Sequence, residues 1–179
     1  MIRHSFGLVL LRKLPIQCFS FPRWKSVLAV TMIGFLTGLS LAENGMVDAE
    51  HFPLPVTIGA GMVASWAAFI LIYAILNWWV RRGARWDGKG DLFNLLAAAT
   101  LFSGIVSGVL LLFIDSPVVM FVVWLYSILI AVEALSATME NVTRIYSLCG
   151  VLMAQVISMF FCTLLLVTLF SIFLRFIKN

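Results

Sequence analysis

The sequence predicts an all-α protein: a polytopic transmembrane helical bundle of five spans. Of 179 residues, 63% are hydrophobic and only 11% are charged, against about 25% charged in an ordinary soluble domain. The apolar residues fall into five long runs. Each reaches or approaches the roughly 20 residues that cross a hydrocarbon core of about 30 Å. Helices that are apolar all round are what lipid demands, because the backbone must satisfy its own polar groups there.

The elements follow in order. Residues 1–25 form a basic lead-in carrying Arg3, His4, Arg12, Lys13, Arg23 and Lys25. Its apolar piece, FGLVLL, is six residues long and runs into Arg12 and Lys13. A secretory signal needs an uninterrupted apolar region of roughly 7–15 residues. Gln17 before Cys18 also makes a poor lipoprotein cleavage site. The lead-in is therefore expected to be retained and to lie at the membrane surface. The membrane domain occupies residues 26–174, with spans at 26–42, 56–80, 92–114, 118–139 and 145–174, followed by a tail at 175–179.

The breaks have chemical causes. Glu43-Asn44-Gly45 ends the first span. Pro53 and Pro55 stand at the start of the second, where a missing N–H costs little. Asp115-Ser116-Pro117 makes a tight turn that forces the third and fourth spans to be antiparallel neighbours. Asp91 is placed to cap the third.

Orientation follows from Lys and Arg. The lead-in holds five: Arg3, Arg12, Lys13, Arg23 and Lys25. The second loop holds Arg81, Arg82, Arg85 and Lys89, and the fourth holds Arg144. That puts ten on one side and two, Arg175 and Lys178, on the other. The N-terminus is expected in the cytoplasm and the C-terminus outside, with Trp24, Trp78, Trp79 and Trp86 anchoring the cytoplasmic boundary. Arg81, Arg82, Arg85 and Lys89 are expected to meet anionic headgroups of the bilayer.

Several patterns suggest sites. Gly83, Gly88 and Lys89 have the spacing of a phosphate-binding loop, G-x-x-x-x-G-K-[ST]. Gly90 stands where the magnesium-holding hydroxyl should be, and the preceding element is a membrane helix instead of a strand. Nucleotide binding is not expected, and no nucleic-acid motif is present. Cys18, Cys149 and Cys162 make no metal-ligand cluster, so no cofactor or metal is expected. Gly38-Leu-Ser40 resembles a fragment of an intramembrane serine-protease motif, but no span supplies a histidine base. No enzyme activity is expected. Asn141-Val-Thr143 spells a glycosylation sequon on the side where it is not used.

Small residues form the more physical pattern. Gly34 and Gly38, Gly104 and Gly108, and Gly61 with Ser65 are each four apart, the spacing that lets helix backbones approach closely in lipid. Such faces serve a homo-oligomer or packing among the first three spans, and the second reading is favoured. Within the spans, Glu133 and Gln155 are the polar candidates. Glu133 is close enough to a helix end to reach headgroups, and Gln155 sits near mid-depth of the fifth span.

The passages WDGKGDLFNLLAAATLF (86–102) and WLYSILIAVEALSATMENVTRIYSLCGVLMA (124–154), with five spans and a cytoplasmic N-terminus, resemble the bacterial branch of the YIP (Ypt/Rab-interacting protein) family. The resemblance covers roughly residues 15–174. It implies a multi-pass inner-membrane protein with a basic, Gly-rich loop before its third span and no catalytic residues. The Asp-Leu-Tyr-Gly-Pro motif of eukaryotic members is missing, as is a long N-terminal domain, so binding of a small GTPase does not carry over. A third-span proline common in bacterial relatives is also absent. The expected role is a non-catalytic scaffold or adaptor acting through helix packing and contacts with lipid or a membrane-protein partner. The alternative is a small transporter or channel subunit, which would need a polar midplane cavity.

Overall fold

The structure, a computed structural model, describes residues 1–11, 15–43, 52–82, 86, 90–113, 116–139 and 142–178. Six α-helices order the described residues: α1 (Ile2–Val9), α2 (Trp24–Glu43), α3 (Leu54–Arg81), α4 (Leu92–Phe113), α5 (Pro117–Thr138) and α6 (Arg144–Lys178), with a 3-10 turn at Ile16–Phe19. Helices α2 to α6 are each long and apolar enough to cross a membrane. The protein is an all-helical, multi-pass bundle, and its five long helices coincide with the five runs in the sequence.

Local chemistry sets the helix ends. Pro55 and Pro117 sit in the first turns of α3 and α5, where no intrahelical N–H is needed. Asp91 caps α4: its Oδ1 accepts from the backbone N–H of Phe93 at 3.0 Å and of Asn94 at 3.3 Å. The residue before it, Gly90, has φ 89°, a left-handed conformation that a side chain would strain. Its role is to turn the chain into α4, which explains a glycine at that position.

The five long helices close a ring in the order α2, α3, α6, α5, α4 and back to α2. Helices α2 and α4 run parallel. Arg23 pairs with Asp91, Ser26 with Asn94, and Ser40 with the carbonyl of Gly108, each pair separated by 68 residues. Helix α3 runs antiparallel to α6: Trp79 meets Tyr146, Ala64 meets Cys162, and Phe52, just before α3, meets Phe170.

The core is concentrated at one end. Leu76 and Val80 of α3, Leu92 and Leu95 of α4, Ile130 and Leu135 of α5, and Val151 and Ala154 of α6 are buried. All belong to the half of the bundle that carries Trp24, Arg81, Leu92, Thr138 and Arg144, here called the basic end. In α5 the buried residues begin at Ile128, and in α6 they end at Ser158. Towards the far end, Phe121, Val122, Met159, Phe160 and Leu164 are exposed.

Helix α1 packs beside α4 and α5. Phe6 packs edge-on against Phe102, the Tyr126 hydroxyl donates to the carbonyl of Val9, and Leu8 and Val9 are buried. Phe102 is about 15 Å along α4 from Leu92 at the helical rise, near the middle of a bilayer-crossing segment. The apolar face of α1 finds a drier partner across α4 and α5 than a headgroup layer would give.

Candidate functional site

At mid-depth a cavity of about 390 Å³ opens between α2, α4, α5 and α6. Its polar lining comes from Thr100, Ser103 and Ser107 of α4, Ser127 of α5 and Gln155 of α6. Ile33, Gly104, Met120 and Trp124 complete its walls. At the helical rise, Ile33, Ser103, Ser127 and Gln155 each lie roughly 14–16 Å from the basic end of their helices. Three separate helices, α4, α5 and α6, thus bring uncharged polar groups to one level beside Ile33 of α2, near half of a hydrocarbon thickness of about 30 Å.

The hydroxyls are partly committed. Thr100 donates to the carbonyl of Leu96 at 3.0 Å, Ser103 to that of Thr100 at 3.2 Å, and Ser127 to that of Trp124 at 2.7 Å. Each uses its proton on its own helix and keeps oxygen lone pairs free to accept. Gln155, half-buried, makes no hydrogen bond among the described residues, so its amide keeps two donors and an acceptor.

The cavity has a firm floor and one soft side. The α2–α4 seam is closed where a Cβ on Gly104 would meet the Ile33 side chain at 2.8 Å and one on Gly108 would meet Leu36 Cβ at 2.9 Å. The α2–α3 seam is tighter. A Cβ on Gly34 would lie 2.8 Å from Met62 Cα, and one on Gly61 would collide with the backbone of Gly38. Trp66 donates across this seam to Thr31 at 3.2 Å. The α3–α6 seam is held by Cys162 and Ala64 in its middle and by Phe52 packed edge-on against Phe170 and tilted against Phe173 at the far end. Only between the outer halves of α5 and α6 are both helices without buried residues, among those described.

The basic end is latched. Asn94, 1% exposed, donates to the carbonyls of Phe19 at 3.0 Å and Phe21 at 2.6 Å and accepts from Ser26 at 2.7 Å. Beside it, Arg23 pairs with Asp91 at 3.0 Å. The hydrogen bond that Arg23 donates to Asp91, and then the Asp91 charge, raise the Arg23 pKa above its ordinary value. Trp79 and Tyr146 bond reciprocally: indole to the Tyr146 carbonyl at 3.1 Å, phenol to the Trp79 carbonyl at 2.6 Å, rings stacked at 4.9 Å.

The candidates from the sequence lie as follows. Gly34, Gly38 and Gly61 meet at the α2–α3 crossing, and Gly104 and Gly108 receive α2 side chains, so all five face neighbours within the chain. Glu133 is held by Arg144 across the α5–α6 turn, at 2.9 and 3.2 Å through two oxygens; it is at the basic end and away from the cavity. Gln155 lines the cavity. Arg81 and Arg82 are exposed at the end of α3, over the rings of Trp86 and Trp78 at 5.4 and 5.2 Å. Arg85 and Lys89, with Gly83 and Gly88, lie outside the described residues. Sequence reading missed the hydroxyl cluster and Asn94, although 100, 103 and 107 repeat at helical spacing.

A second cavity, about 510 Å³, is bounded by Met1, Trp24, Lys25, Leu28, Met32 and Leu101 among others. It lies between α1 and the α2–α4 pair, and its lining is mainly apolar. No family model matches the sequence, and neither a curated protein nor a solved structure is significantly similar to it.

Proposed function

We propose that the protein is a YIP-type multi-pass protein of the bacterial inner membrane that works as a non-catalytic scaffold or adaptor, through helix packing and contacts with lipid or a membrane protein. Its N-terminus is cytoplasmic in this reading, and Arg81, Arg82, Arg85 and Lys89 meet anionic headgroups. The observation that carries it is the glycine-tight packing of α2 against α3 and α4. Backbones this close cannot slide without opening voids or collisions, which suits a rigid platform better than a carrier that alternates its access. Pairing of Glu133 with exposed Arg144 supports the same view, since the carboxylate serves the α5–α6 turn.

A transporter subunit is the second reading, and the uncharged polar groups in the mid-depth cavity favour it. Flux measurements separate the two. Proteoliposomes are expected to be as tight to protons, potassium and small neutral solutes as protein-free liposomes. A protein-dependent flux lost in Gln155→Leu would replace the scaffold with the transporter. Photocrosslinkers placed at Phe160 or Leu164 in cells are expected to capture a discrete protein or lipid partner of the exposed α6 face.

A further inference from the structure

We propose that the mid-depth cavity binds a neutral, hydroxyl-bearing glycerolipid of the diacylglycerol type, with its polar end on Gln155 and its chains leaving between α5 and α6. The inference rests on the lipid-contact reading above and assigns it a site and a ligand chemistry.

Three observations select that chemistry. First, no ionisable side chain lines the cavity, so a phosphate or ammonium headgroup would sit at mid-bilayer with no counter-charge, at a large desolvation cost. The ligand is therefore uncharged. Second, the hydrogen-bonding inventory is complementary to an alcohol with nearby carbonyls. Thr100, Ser103 and Ser127 have spent their protons on their own helices and offer lone pairs to an incoming O–H. Gln155 offers two N–H donors to ester carbonyls, and no described residue satisfies them. Third, the space is small. About 390 Å³ falls at the low end of the roughly 300–1,000 Å³ of ligand pockets. It takes a glycerol and its ester groups but not two acyl chains.

The chains need an exit, and the bundle has one. The α2–α4, α2–α3 and α3–α6 seams are closed by the glycine contacts and the Phe52 ring contacts described above. The α5–α6 seam is packed only towards the basic end. Beyond Trp124 and Gln155, Phe121 and Leu125 of α5 and Phe160 and Leu164 of α6 are all exposed, apolar surface continuous with lipid. A lipid entering sideways from the bilayer meets its hydrogen-bonding partners only at the floor.

The test uses the full-length protein in phosphatidylcholine liposomes with trace photoactivatable diacylglycerol, and in parallel a phosphatidic acid and an isoprenoid alcohol carrying the same photoreactive group. Saturable labelling by the diacylglycerol probe is expected, mapping to peptides of α4, α5 and α6, with weak labelling by the phosphatidic acid. Gln155→Met, close to isosteric, is expected to reduce labelling about five-fold or more, the loss of one net hydrogen bond. If that variant fails to fold in detergent, Ser107→Val, which narrows the cavity and removes a hydroxyl, should reduce labelling instead. Equal labelling by phosphatidic acid, stronger labelling by the isoprenoid alcohol, or labelling spread over the whole lipid face and indifferent to folded variants would overturn the proposal. Labelling reports occupancy and not flux, so its failure leaves the scaffold reading standing, and a positive flux result would remove that reading without touching occupancy.

Discussion

At Gly38 the tolerance for added volume is a fraction of an ångström. A Cβ there would lie 2.5 Å from Ile58 Cα and 2.9 Å from the carbonyl oxygens of Thr57 and Ile58. The obstacles are backbone, so they cannot swing aside; the two helices must part. Gly38→Ala is expected to cost about 1–3 kcal/mol by overpacking. Gly59 is on the same helix pair but has nothing within 4 Å of an added Cβ. Gly59→Ala should be neutral or stabilise by up to about 1 kcal/mol, the helix-propensity gain. Gly104→Ala should fall between them, because its obstacle is the Ile33 side chain. Melting temperatures in one detergent order the three, and equal values for Gly38→Ala and Gly59→Ala would contradict the packing account. The G-x-x-x-G spacing was legible in the sequence, but its partner was not. Four-residue spacing describes one helix face and carries no information about whether the facing backbone belongs to the same chain.

At the scale of elements, α4 shows what a hydropathy profile hides. Its apolar run predicts a span, and Asp91 predicts its start. The stripe at Thr100, Ser103 and Ser107 went unread, because an apolar helix makes hydrophobic periodicity flat; the polar periodicity remained, one turn after another. On α5 the same rule places Trp124, Ser127 and Ala131 on one face. Asn94 was invisible for another reason: its three partners come from residues 19, 21 and 26, which no local pattern links to α4. Asn94→Leu should leave the carbonyl of Phe21 and the hydroxyl of Ser26 short of partners, while the Phe19 carbonyl keeps the N–H of Phe21 at 3.0 Å. About 1–3 kcal/mol per stranded buried group makes this the most damaging polar substitution at the basic end, read as a fall in melting temperature. Glu133→Gln should behave differently. Its partner Arg144 has 67% of its side chain exposed, and exposed pairs contribute about 0–1 kcal/mol. A stability change within that range, shrinking further at high salt, is expected; a loss several times larger would mean the carboxylate has a second role.

At the scale of the whole molecule, the bundle is latched at its basic end and, among the described residues, lacks burial at the far end only along α5 and α6, and the sequence explains the asymmetry only in part. The aromatic and basic residues at Trp24, Trp79, Arg81 and Arg144 mark one boundary. The close-packing residues Ala97, Ala98, Ala99, Ala134 and Ala154 sit in the same half. Beyond mid-depth, large side chains such as Phe121, Phe160 and Phe161 point away from the core, and a run of apolar letters does not distinguish a side chain facing lipid from one facing a neighbour. The alternation of helix direction, however, constrains the topology. Helices α2 and α4 run parallel, and α3 runs antiparallel to α6, so five crossings place the two ends of the chain on opposite faces. In the proposed topology the ten-to-two excess of Lys and Arg puts the N-terminal face in the cytoplasm. A reporter active only outside the cytoplasm, fused after Asn179, should be active, and the same reporter inserted at Lys89 should be silent. The inverse pattern would invert the molecule in the membrane without changing the fold. Activity at both positions would mean that one of the three helices between them, α4, α5 or α6, does not cross. Because Arg23 and Lys25 flank α2 on the side that holds Asp91, reversing both to Glu should weaken the orientation signal and break the pairing with Asp91 together. A mixed topology in that variant, with wild type uniform, is the outcome expected if the basic end both orients the chain and latches the bundle.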